Sequence, residues 1–202
     1  MSKAKICGLS AESDIIAANE AMPDYIGFVF AKSTRQVSAE KARELKSGLD
    51  RRITAVGVFV NESISAIAQL VESETIDAIQ LHGTEGDDYI KRLRSVCDAE
   101  IIRAYPVASN VAGINTSADY CLFDTAARGV YGGTGIAFDW GFLKSYKGPA
   151  YFLAGGLNSE NVALAIKTLS PFCVDVSSGV EKNGAKDKEM ILQFVEAVRK
   201  AG

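Results

Sequence analysis

A chain of 202 residues, 48% hydrophobic and 23% charged, can bury the core of one sizeable domain. Its formal net charge of -3 argues against nonspecific nucleic-acid binding, which needs a basic stripe, but leaves room for a small anionic ligand held by backbone dipoles. No apolar run approaches the ~20 residues of a membrane helix and no signal-type segment follows the first lysines, so a cytoplasmic chain without membrane partners is expected.

Short apolar, β-branched runs recur along the chain at 4–7, 25–30, 53–60, 76–81, 100–105, 120–124, 151–154 and 173–176. Between most of them lie stretches with helical spacing. Ile64, Ile67, Ala68 and Val71 form one stripe, Ala163, Ala165, Ile166 and Leu169 a looser one, and Ile191, Leu192, Val195 and Val198 the last. Helix starts are expected at Ser38 with Lys41 one turn on, at Asn61, at Asn158 and at Asp187. Strand–helix alternation implies a parallel sheet. Eight such units over residues 1–202 fit a single-domain (β/α)8 TIM barrel, with a doubly wound open sheet as the alternative. In a barrel the site lies at the C-terminal strand ends, so each polar residue can be tested by whether it ends a strand.

Cys7 ends the first run, where Gly8 breaks it, and reads either as a small buried hydrophobe or as a reactive thiol. Asp124 ends the sixth, on the face of Tyr120 and Leu122 and opposite Cys121 and Phe123, and reads as a turn or cap residue or as a carboxyl facing Cys7 across the mouth. Gly155 and Gly156 follow the seventh run, and Ser177, Ser178 and Gly179 the eighth. Either they serve tight turns or they form the phosphate site that barrels build after these two strands. Arg35 is a solvated loop charge or a fork for a carboxylate. His82, the one histidine, ends the fourth run as a structural residue or a ligand-orienting one. Residues 131–135 form a surface loop or a lid, and Trp140 reads as a packing anchor at the sixth helix. Lys5 shares the parity of Cys7, and Asp175 lies on the eighth strand, which neighbours the first in a closed barrel, so the two are expected to pair inside it. One histidine and four widely spaced cysteines, Cys7, Cys97, Cys121 and Cys173, offer neither a zinc set nor a disulfide framework; no metal is expected.

Taken together, KICGLS (5–10), GFVFAKSTRQV (27–37), VGVFVNE (56–62), IQLHGTE (79–85), LFDT (122–125), GGTGIAFDW (132–140), LAGGLNSENV (153–162) and VDVSSGVEKNGAKD (174–187) resemble the phosphoribosylanthranilate isomerase family of tryptophan biosynthesis. The departures are local: Ser10 stands where a threonine is common, and KSTRQV replaces a proline-containing form. The resemblance implies an Amadori rearrangement of a phosphorylated small-molecule substrate, with no cofactor, by a monomer or homodimer. It implies Asp124 as the acid that protonates the furanose oxygen and Cys7 as the base at C2′. It places Arg35 near the anthranilate carboxylate and the two loops on the phosphate; His82 and Asp175 are further substrate-binding candidates. Asp124 is then expected to start protonated, and a nearby positive charge to lower the Cys7 pKa. A histidine-pathway isomerase would use two aspartates, a metal-dependent epimerase would need more histidines, and a non-catalytic phosphate module would not need both Cys7 and Asp124.

Overall fold

The computed structural model describes residues 1–106, 111, 114, 116–124, 143 and 146–201. Its strands are β1 (Lys3–Cys7), β2 (Tyr25–Val29), β3 (Thr54–Phe59), β4 (Ala78–Leu81), β5 (Glu100–Pro106), β6 (Tyr120–Asp124), β7 (Tyr151–Ala154) and β8 (Cys173–Val176). Each pairs in parallel with the next and β8 returns to β1, closing the barrel. Among the described residues the helices are α1 (Glu12–Ala21), α2 (Ala39–Ser47), α3 (Ile64–Glu72), α4 (Asp87–Arg94), α5 (Val162–Leu169) and α6 (Lys188–Ala201). A short antiparallel hairpin, β9 (Glu181–Lys182) and β10 (Ala185–Lys186), sits between β8 and α6. The expected loop at 131–135 and Trp140 lie outside the described residues. No helix among the described residues is long and apolar enough to cross a membrane.

Strand parity divides the core. Ala4, Ile6, Ile26, Phe28, Cys121, Phe123, Leu153 and Val174 point outward to the helices, in one large cluster with Ile15, Ile191 and Phe194. Tyr25, Val56, Ala78, Ile102, Ala104, Leu122, Phe152 and Cys173 fill the interior. Fully burying a side chain such as Phe152 is worth about 1.5–3 kcal/mol, and both faces of every strand are buried, hence the near-continuous apolar runs. At the N-terminal end the interior is plugged by rings: Tyr120 stacks on Phe172 at 4.7 Å, and Tyr25 meets Phe152 edge-on at 5.4 Å. Polar chemistry is thereby confined to the opposite end.

Helix starts at Ser38 and Asp187 stand where expected: Ser38 Oγ accepts from Lys41 N, and Asp187 Oδ1 from Met190 N. Two differ. The cap of α3 is Ser63, while Asn61 takes a left-handed turn (φ 54°) and its Oδ1 accepts from Thr84 N and Oγ1. Asn158 caps a preceding turn, accepting from Glu160 N and Asn161 N, and α5 begins only at Val162. In both cases a polar side chain found a nearer backbone donor than the first turn of the helix.

Candidate active site at the barrel mouth

Lys5 sets the middle layer. It is fully buried, and its Nζ donates to Asp175 Oδ2 at 3.0 Å, the pairing expected from strand order. Burial works against the Lys5 charge, but the adjoining Asp175 carboxylate outweighs it and holds the ammonium above the ordinary lysine range. Asp175 Oδ1 and Gln80 Oε1 are buried acceptors without a hydrogen-bond donor among the described residues. Both belong to the interior face, below the mouth.

Cys7 stands one step above Lys5 on the same face. Gly8 turns the chain away with φ 84°, and the N–H groups of Gly8 and Leu9 both donate to Gly27 O, at 2.9 and 3.1 Å. A Cβ on Gly27 would lie 2.7 Å from Cys7 Sγ, so the bare glycine makes room for the thiol. The expected lowering of its pKa does not appear. Burial pushes the thiol up, Lys5 and Lys186 recover part of that, and Asp175 adds to the rise. The cations are present, but desolvation wins.

Asp124 ends β6 on the interior face, as its parity predicted. His82 Nε2 lies 3.5 Å from Asp124 Oδ2, and its Nδ1 is 2.9 Å from Gln80 Nε2. With the Gln80 amide nitrogen donating, Nδ1 is the acceptor and the ring proton sits on Nε2, toward Asp124. The loop carrying His82 is locked from behind. Arg103 donates to Leu81 O and Gly83 O, both at 3.0 Å, and Glu85 accepts from Gly83 N and Asn61 N. Asp175 is within Coulombic reach of Cys7, His82 and Asp124.

The loops after β7 and β8 meet directly. Gly155 and Gly156 have φ of 93° and 64°, a region that favours glycine. A Cβ on Gly179 would lie 1.9 Å from Leu157 O, so only glycine lets the Ser178–Val180 turn seat against the β7 loop. Ser177 Oγ donates to the Cys7 carbonyl at 3.0 Å, tying this loop to the end of β1.

Arg35 is one-third exposed and is not a solvated charge: Nε and Nη2 fork onto Glu181 Oε1 and Oε2, each at 2.7 Å. Lys186 Nζ also reaches Glu181 Oε1, at 2.6 Å, and donates to Ser177 O at 2.9 Å. The Arg35 and Lys186 hydrogen bonds hold the Glu181 carboxyl at about 2. Sequence reasoning missed Glu181 and Lys186. The signal was the Asn183-Gly184 pair, whose positive φ values (54° and 81°) make the two-residue turn that sets Glu181 opposite Lys186.

All these residues come from one chain, and the constellation is a thiol and a carboxyl above a buried ion pair, flanked by two glycine-bearing loops and a forked arginine. A family model described as "N-(5'phosphoribosyl)anthranilate (PRA) isomerase" matches residues 4–197. The chain is 47% identical over 199 residues to the N-(5′-phosphoribosyl)anthranilate isomerase of Endomicrobium trichonymphae, covering 98% of this chain and 99% of that one. It is similar to the crystal structure of the Thermotoga maritima phosphoribosylanthranilate isomerase, with TM-score 0.86 and 35% identity, covering 99% of this chain and all of that one (100%). It is also similar, at TM-score 0.80 and 31% identity over 99% of this chain and 100% of the other, to such an isomerase in complex with reduced 1-(o-carboxyphenylamino)-1-deoxyribulose 5-phosphate. The chain therefore belongs to the N-(5′-phosphoribosyl)anthranilate isomerase family, aldose–ketose isomerases of tryptophan biosynthesis.

Proposed function

We propose that this chain converts N-(5′-phosphoribosyl)anthranilate to 1-(2-carboxyphenylamino)-1-deoxyribulose 5-phosphate, with Asp124 as acid and Cys7 as base. The observation that carries this reading is the placement of the two groups: both end interior-facing strands, and Asp175 is within Coulombic reach of each. Gly155, Gly156, Ser177, Ser178 and Gly179 hold the substrate phosphate, and Arg35 faces its carboxylate.

The reaction runs in three stages: ring opening, proton removal at C2′ and tautomerisation. Asp124 gives its proton to the ring oxygen as the C1′–O bond breaks and the nitrogen lone pair forms an iminium at C1′. The iminium acidifies the C2′ hydrogen, which Cys7 removes as thiolate, leaving an enolamine. Protonation at C1′ and loss of the C2′ hydroxyl proton then give the amino ketone, so no atom is gained or lost. Asp124 has to hold a proton at the start. Burial favours the neutral Cys7 thiol, so its proton has to pass to solvent before the C2′ hydrogen is removed, which adds to the barrier.

The substrate is labile and is best made in place from anthranilate and phosphoribosyl pyrophosphate with the preceding transferase. The enzyme then speeds the loss of anthranilate-type fluorescence. A rate no greater than that of the uncatalysed mixture refutes the assignment.

A further inference from the structure

We infer that Glu181, presented by the β9–β10 hairpin and steadied by Lys186, is a positioning residue that aims Arg35 at the substrate carboxylate. This rests on the role proposed for Arg35 and adds residues to it. Arg35 leaves a loop, and two features fix its long side chain. Its stem crosses Gly8, where a Cβ would lie 2.6 Å from Arg35 Cδ. Its head is forked by Glu181, whose side chain is only 8% exposed. A fork of this kind fixes the guanidinium plane as well as its distance. It uses the Nε/Nη2 edge and leaves the Nη1/Nη2 edge, among the described residues, for a second carboxylate.

A carboxylate that close would normally cancel the attraction for another anion. Lys186, 3% exposed, prevents this: two cations around one carboxylate leave the group with a charge of +1. The same ammonium donates to Ser177 O at 2.9 Å, and Ser177 Oγ donates to Cys7 O. The hairpin thus connects the carboxylate fork, the phosphate loop and the strand that carries the base.

The test is a double-mutant cycle with Glu181→Gln and Arg35→Ala, read as separate KM and kcat values. Glu181→Gln keeps the side-chain shape and loses the fork. It is expected to raise KM about tenfold with kcat within threefold, and Arg35→Ala to raise KM at least as much. The double variant is expected to match Arg35→Ala alone, because Glu181 acts through Arg35. Multiplied effects, or an unchanged KM in Glu181→Gln, overturn the inference. An unchanged KM in Arg35→Ala overturns instead the role of Arg35 on which it rests. If Glu181→Gln does not fold, Glu181→Asp keeps the negative charge beside Lys186, leaves Arg35 intact and draws the carboxylate one methylene back from the guanidinium. It is expected to raise KM too, and a wild-type KM there overturns the inference as well.

Discussion

Replacing Asp175 by Asn removes one negative charge and keeps an oxygen that can accept from Lys5. Lys5 is 0% exposed and its Nζ is 3.0 Å from the carboxylate. At an effective dielectric of about 20, a charge pair at that distance is worth about 5 kcal/mol. Leaving one buried charge without its partner destabilises proteins by about 3–5 kcal/mol, a large part of a total stability of about 5–15 kcal/mol. Urea unfolding of Asp175→Asn at neutral pH is therefore expected to lose about 3–5 kcal/mol. Lys5→Met/Asp175→Asn, with neither charge, should recover part of that loss. The pH dependence of the two proteins should also be opposite. In the wild type the Lys5 pKa lies above its ordinary 10.5, so the pair's contribution is complete below pH 10.5 and fades as pH rises through the higher folded value. In Asp175→Asn the main group opposing burial is gone and the Lys5 pKa is expected to fall below 10.5, so the variant gains stability as pH rises toward that value. A loss under about 1 kcal/mol, or the same pH trend in both proteins, refutes this account of the barrel interior.

Other predictions rest on the mouth. Burial holds the Cys7 thiol up, so its alkylation by iodoacetamide, followed by peptide mass mapping, should still be accelerating at pH 9.0, the ordinary thiol midpoint; a plateau by pH 8 contradicts this. Glu181, held at about 2 against an ordinary 4.5, contributes stability that is present above pH 4.5 and lost as pH falls toward 2. That contribution is up to about 3 kcal/mol, and Glu181→Gln should flatten this part of the acid-unfolding curve. Gly179→Ala puts a Cβ where Leu157 O lies, 1.9 Å away, and should part the loops after β7 and β8; if these hold the phosphate as proposed, KM rises and inhibition by inorganic phosphate weakens with little change in kcat. Gly27→Ala puts a Cβ 2.7 Å from Cys7 Sγ and should do the reverse, lowering kcat with KM nearly unchanged.

Much of this arrangement is readable before folding because a closed parallel barrel converts parity into position. Once Tyr120, Leu122 and Asp124 share a face, Asp124 must look inward; once β8 borders β1, Lys5 and Asp175 must meet. The residues that escaped reading depend on partners distant in sequence. Arg35 and Glu181 are brought together from the loops after β2 and β8, the two strands that flank β1, and neither sequence position names the other. Asn61 looked like a helix start because its type suits one, but Thr84 from the next loop took its side chain. The Cys7 pKa is a balance between burial and two lysines, and only the packed interior decides its sign.

The central claim is that Cys7 and Asp124 carry the proton transfers. Steady-state turnover of the in situ substrate by Cys7→Ala and Asp124→Asn tests it most directly, beside binding of the reduced product analogue. A positioned acid or base contributes about 10²–10⁴-fold, or about 3–5 kcal/mol of barrier. Each variant is expected to lose activity on that scale while still binding the analogue. Full activity in Cys7→Ala would contradict the assignment of the base, and full activity in Asp124→Asn that of the acid.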